Sequence, residues 1–215
     1  MTNPTAKPVP IIQTQADVNT INCARMIAAQ FLPWWSPVIR QLKLDRNDDQ
    51  PTMCVNSAGR VYYNLGFVRK LKAELGLGAI AFCLLHEGMH MISNTHKRAA
   101  TVGADQDAQL ALLFNIASDM SINTILKQEA AKSDCQYKIV IPDWVCLPEK
   151  FNLPPNLSAE EYYLRLLSMR EKASGACDGS PGNGCGMKDE GGGKSQAQIN
   201  AIKKQMADAA AGSLK

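Results

Sequence analysis

The sequence predicts an α+β protein, mainly helical with a small β-hairpin or sheet. Three observations carry that expectation. Apolar residues recur at three- and four-residue intervals through most of the chain, the spacing of helix faces. A pair of short β-prone runs, Thr52–Val55 and Arg60–Tyr63, flanks a turn ending in Gly59, which reads as a hairpin. A strongly apolar segment from Ala79 then leads straight into the chain's three histidines.

Composition fits a folded domain. Of 215 residues, 46% are hydrophobic and 20% charged. This balance excludes a disordered chain, a collagen, a coiled coil or a small disulfide scaffold. Lys and Arg total 23 against 20 Asp and Glu, a formal charge of +3. Neither a dedicated nucleic-acid binder nor a membrane-surface protein would be so evenly balanced. The longest apolar run, Leu75 to Leu85, is about half a membrane span, so no transmembrane helix is expected. Met1–Pro10 has no apolar core of the kind a signal peptide needs. The seven cysteines are odd in number and scattered without a disulfide-like rhythm. Together these predict a cytoplasmic protein with mostly free thiols.

Taken in order, residues 1–15 predict a flexible leader, because Pro4, Pro8 and Pro10 forbid regular pairing. A helix is expected from Asp17, which is an N-cap residue type, through Phe31. Pro33 interrupts it, and a second short helix follows around Val38–Leu42, with Trp34-Trp35 as a core corner between them. Asp45–Asp49 reads as a polar turn before the hairpin. Asn64 is placed to cap the helix carrying Phe67, Val68 and Leu71. Gly76 and Gly78 end that helix. Another long helix is expected over Asp105–Ala130, and Tyr137–Ile141, stopped by Pro142, reads as a strand. Ser158-Ala-Glu-Glu161 is a capping box that opens a helix to about Met169. One folded domain therefore spans 16–173. A glycine-rich linker or loop follows at 174–194 and a weakly apolar helix at 195–215.

The chemistry lies in His86-Glu87-Gly88-Met89-His90 and, six residues on, His96. His86 and His90 are four apart, so on a helix their rings project from one face about a turn apart, which suits two ligands of a tetrahedral zinc. Glu87 stands beside them, in reach of a water on the same metal. Zinc with an open position lowers the pKa of such a water and polarises a carbonyl oxygen. Glu87 would take the proton and pass it to a leaving amine, which makes peptide or amide hydrolysis the natural outcome.

Two candidates compete for third ligand. His96 completes His-Glu-x-x-His-x-x-Ser-x-x-His, the metzincin spacing, with Ser93-Asn94 supplying the turn; asparagine tolerates the left-handed conformation this needs. Asp119 lies in a polar stripe, Asn115, Asp119 and Asn123, on an otherwise apolar helix. Such a stripe usually faces a buried polar partner. It is similar to the Glu-x-x-x-Asp helix of gluzincins, with asparagine in place of the zinc glutamate. Asp119 then either binds metal or accepts the Nδ1 proton of a ligating histidine. Asn115 and Asn123 are candidates for supporting or substrate contacts.

One ordered series of motifs resembles a known group. It comprises Gly59-Arg-Val-Tyr-Tyr-Asn64, Leu84-Leu-His-Glu-x-x-His90, a histidine before Lys97-Arg98, Phe114-Asn-Ile-Ala-Ser-Asp119 with Ile122-Asn123, and Leu157-Ser-Ala-Glu-Glu-Tyr-Tyr-x-x-Leu166. Over residues 50–175 this is similar to bacterial and phage proteins whose N-terminal metallopeptidase domain often precedes a von Willebrand factor A-like domain. The resemblance implies a zincin-like fold, with the hairpin over the active-site helix, and metal-dependent peptidase activity. It also implies frequent association with an AAA+ ATPase. In that picture an extended protein or peptide substrate pairs with the hairpin's edge strand. Tyr62 or Tyr63 is then a candidate to stabilise an oxyanion, although core packing is the commoner duty for the inward-facing one. Close approach of the strand would account for Gly88 inside a helix.

The remaining features are bland. Cys135, Cys146, Cys177 and Cys185 contain no Cys-x-x-Cys pair, so a second, structural zinc is not expected. The glycine-rich segment lacks the Gly-Lys-Ser/Thr ending of a phosphate loop. The leading expectation is a one-zinc peptidase. The alternative is a latent or non-catalytic metal-stabilised adaptor working with an A-type domain or AAA+ ATPase partner.

Overall fold

The computed structural model describes residues 12–174. The expected C-terminal helix, the linker beyond Ser174 and most of the leader fall outside the described residues. The α+β expectation holds: seven α-helices and a three-stranded mixed sheet make up the described fold.

Helix α1 (Gln15–Phe31) starts two residues earlier than expected because Thr14, not Asp17, caps it. The Thr14 hydroxyl accepts from the Asp17 amide at 3.3 Å, and the Asp17 carboxylate accepts from the Thr14 amide at 2.7 Å. This reciprocal box satisfies two otherwise orphaned donors. Asp17 also pairs with Arg69 at 2.7 Å, which ties the start of α1 to α3 (Leu65–Leu75) and holds its carboxyl far below the usual range. At Pro33–Trp35 the chain makes a 3-10 turn before α2 (Ser36–Gln41). The expected core corner is only half present there. Trp35 packs against the core, whereas Trp34 is 92% exposed.

The polar turn expected at Asp45–Asp49 is present from Asn47 on, where the Gln50 amide donates to the Asn47 carbonyl, but its first two residues belong to an unforeseen strand β1 (Lys43–Arg46), parallel to β3 (Arg60–Tyr63). Its side chains are half-buried at most, so it lacks the apolar alternation that marks a strand in sequence. Strand β2 (Met53–Val55) runs antiparallel to β3 through the turn at Asn56–Gly59, as the hairpin pattern predicts. The sheet order is β1-β3-β2. Buried β2 packs on α4 (Leu77–Ile92). At the hairpin turn, Gly59 adopts φ +78°, and a Cβ there would meet Met91 Cε at 2.5 Å, so the turn rests on the C-terminal end of α4. Gly88 answers to a different neighbour than expected. A Cβ on it would lie 2.6 Å from Ile39 Cδ1, so it admits α2 rather than the strand.

Asn64 caps α3 as expected, its side-chain oxygen accepting from the Phe67 amide at 2.8 Å. Gly76, at φ +79°, separates α3 from α4, and Gly78 lies inside α4 rather than before it. After Asn94 comes α5 (Thr95–Thr101), then a 3-10 turn at Ala104–Gln106 and α6 (Ala108–Lys132), capped by Asp107. Ser158 opens α7 (Ala159–Ser174) through its box with Glu161. Tyr137–Ile141 is not a strand: it begins in a bend and has no ladder partner. Its backbone lies instead on Gly78 of α4, where a Cβ would come within 2.6 Å of the Lys138 carbonyl oxygen.

Two apolar cores result. The first joins α1, α3, α4, the sheet and residues Ile139, Val145 and Leu147; the second joins α6 and α7. Helix α6 belongs to both. Its Phe114, Ile116 and Met120 lie in the second core, whereas Ile122 and Leu126 lie in the first. Asp119 and Asn123 fall where the helix crosses between them. Burying apolar side chains of this size stabilises a fold by about 1.5–3 kcal/mol each, so both faces of α6 are firmly held around those two polar residues. Among the described residues no helix is long and apolar enough to cross a membrane.

Candidate metal centre

The apolar sequence of α4 sets the stage, with Ile80, Leu84 and Leu85 fully buried. On this helix His86 and His90 project one turn apart toward α6, and their Nε2 atoms are 3.0 Å apart. Asp119 Oδ1 lies 3.2 Å from His90 Nε2 and 3.6 Å from His86 Nε2. Three donor atoms thus form a near-equilateral triangle joining two helices. A tetrahedral zinc with bonds of about 2.0–2.1 Å holds its ligand atoms about 3.3 Å apart, the middle of this range.

Each imidazole is oriented from behind. Asn123 donates its amide to the Cys146 carbonyl at 2.8 Å. A carbonyl only accepts, so this contact fixes which end of the amide faces His86. Asn123 Oδ1 therefore stands 2.8 Å from His86 Nδ1, which must carry the proton. The lone pair of His86 is left on Nε2, inside the triangle. His90 Nδ1 lies 3.2 Å from the hydroxyl of buried Thr95, a group able to accept its proton, and Nε2 of His90 faces inward as well. Two imidazole lone pairs and a carboxylate converging in a largely buried space suit a positive charge between them, a metal ion or a proton. Electrostatics agree for His86. Burial pulls its pKa down, but the Asp119 hydrogen bond and the charges of Asp119 and Glu87 outweigh burial, and the net shift is upward. A pocket that favours a proton on the imidazole favours positive charge in general.

Glu87 is 8% exposed, and its charge acts on both His86 and Cys83. Burial, with Glu87 adding to it, pushes the Cys83 thiol up, so Cys83 stays neutral. The donor set is therefore two imidazoles and one carboxylate, and His86, His90 and Asp119 form a group able to hold a metal ion.

The sequence matches, over residues 22–214, the family described as "Putative metallopeptidase domain". The chain belongs to that family. No curated protein and no solved structure matches it.

In this metallopeptidase-family chain the candidates from sequence separate cleanly. The structure gathers His86, His90 and Asp119, with Asn123 behind His86. It does not bring His96 to them. Asn94 at φ 52° ends one helix and starts α5, which turns Thr95 inward and leaves the next residue, His96, exposed. Asn115 is half-buried one turn before Asp119, and its side chain makes no hydrogen bond among the described residues. Tyr63 is buried in the first core, and its hydroxyl accepts from Gln13 at 3.0 Å, so it packs rather than facing the triangle. Thr95 is the residue that sequence reasoning missed. Its one signal was the Asn94 preceding it, a residue that readily turns the chain through the left-handed region.

Proposed function

We propose that the protein is a zinc-dependent peptidase of zincin type, with His86, His90 and Asp119 holding the metal and Glu87 as general base. The observation that carries this reading is the triangle of donor atoms at 3.0, 3.2 and 3.6 Å with both imidazoles held by hydrogen bonds at Nδ1. Imidazole and carboxylate donors at this spacing suit zinc.

Bound zinc would supply Lewis acidity, lowering the pKa of water and polarising a scissile carbonyl. The chain's own residues do the rest. His86 and His90 are kept neutral at Nε2 by their partners, and Asp119 brings the negative charge that balances a dication. Glu87 accepts the proton released as water adds to the carbonyl carbon. It then delivers that proton to the departing amine as the C–N bond breaks. Burial of Glu87, which is 8% exposed, strengthens each of these electrostatic effects. Among the described residues three protein donors converge rather than four, the pattern of catalytic rather than structural zinc sites. The substrate is a protein or peptide.

The test is to incubate the full chain, loaded with one equivalent of zinc, with a mixture of unstructured peptides. Cleavage that a chelator abolishes and added zinc restores supports the reading. Tight zinc binding with every peptide left intact supports instead a metal-stabilised adaptor.

A further inference from the structure

The segment that read as a strand, Tyr137–Ile141, continues through Leu147 as a strap laid between the two cores. Its first half rests on α4. A Cβ at Gly78 would approach the Lys138 carbonyl oxygen to 2.6 Å and the Val140 amide nitrogen to 3.2 Å, so only glycine lets the strap sit there. Its second half is pinned by alternation. Val145 and Leu147 are buried in the first core, while Cys146 between them is buried in the second. Outside, Trp144 meets Phe67 of α3 edge-on, ring centroids 6.1 Å apart. The Cys146 carbonyl is thereby held in place, and it is this carbonyl that accepts from the Asn123 amide at 2.8 Å.

We infer that the strap is a positioning device for the metal centre: its seat on Gly78 fixes the Cys146 carbonyl, which fixes the Asn123 amide, which sets the His86 tautomer. The inference rests on the metal-site reading above. A strap displaced from Gly78 carries the carbonyl away, and the Asn123 amide is then free to rotate. His86 loses its enforced Nδ1 proton and spends part of its time with the proton on Nε2, where it cannot bind a metal. Gly78, eight positions from the histidine in sequence, thus acts on it through three relays without touching it.

The experiment is a double-mutant cycle read by zinc competition against a chelating dye, using the full chain as Gly78→Ala, Asn123→Ala and both together. On helix propensity alone alanine is the better residue at position 78, so a loss of affinity there points to the strap. Losing a partner of a ligating histidine typically weakens metal binding by about 10- to 100-fold. We expect a loss of about that size for Asn123→Ala, a loss of at least about tenfold for Gly78→Ala, and a double variant no weaker than Asn123→Ala alone. Wild-type affinity in folded Gly78→Ala, or losses that multiply in the double variant, would overturn the inference. Imidazole nitrogen shifts of the metal-free protein give a second readout: Nδ1–H on His86 in wild type, a mixture in Gly78→Ala. That readout judges the strap even where wild type binds no zinc, the result that would sink the metal reading itself. Should Gly78→Ala not fold, Val145→Ala, which loosens the strap beside Cys146, is held to the same two expectations.

Discussion

His90 Nε2 stands 3.2 Å from Asp119 Oδ1, and this contact joins the helix of the His-Glu-x-x-His motif to the helix shared by both cores. Neither residue could reach the other without that packing. Phe114, Ile116 and Met120 hold one half of α6 against α7, and Ile122 and Leu126 hold the other against α4. The site is therefore a product of the tertiary fold as much as of the motif.

The proposed chemistry depends on Glu87 as a base and not as a ligand. Glu87→Gln keeps the size of the side chain and removes its basicity. Zinc content should stay at the wild-type level while peptide cleavage falls by about 10²- to 10⁴-fold, the usual worth of a positioned base. Parallel measurement of bound metal and initial rate checks this. A variant that cleaves like wild type refutes the mechanism.

Thr95 supports His90 from behind, its hydroxyl 3.2 Å from Nδ1. Replacing it with valine preserves shape and removes the acceptor, so zinc affinity should drop about 10- to 100-fold, while Thr95→Ser, which keeps the hydroxyl, should restore most of it. Equal affinity in wild type and Thr95→Val would mean that His90 needs no such partner.

Helix α5, which presents Thr95, is tied to α7 by a two-point contact between the Arg98 guanidinium and the Glu160 carboxylate. Both side chains are about one-third exposed, at 36% and 34%, so screening keeps the pair's contribution to at most about 1 kcal/mol. The Arg98 hydrogen bond holds the Glu160 carboxyl below its ordinary value of 4.5. With the folded-state pKa lowered, the contribution is fully present above pH 4.5 and fades as pH falls through the lowered value. Melting curves of wild type and Glu160→Gln should differ by a few degrees at pH 7 and converge at acid pH. A difference that grows as pH falls has the wrong sign for this pair.

Local chemistry made much of the fold legible. Asn64 and Ser158 announced their helices because a cap is a matter of a few adjacent residues, and Gly59 announced the hairpin for the same reason. What the sequence hid depends on distant partners. β1 went unseen because a half-exposed Lys-Leu-Asp-Arg strand, with Leu44 its one apolar residue, carries no apolar alternation. Tyr137–Ile141 looked like a strand because its residues favour extended backbone, yet the bare backbone at Gly78 gave it a helix to lie on instead. At the candidate metal centre, spacing named His86, Glu87 and His90 but left His96 and Asp119 in competition, since both are suitable donors at suitable distances along the chain. The left-handed turn at Asn94 separates them, and its direction is set by the packing of α5.

The most direct measurement is zinc bound per chain for purified wild type, His96→Ala and Asp119→Ala. The account predicts about one zinc in wild type and in His96→Ala, and a loss of most of it in Asp119→Ala. Zinc lost from His96→Ala and retained in Asp119→Ala would contradict it.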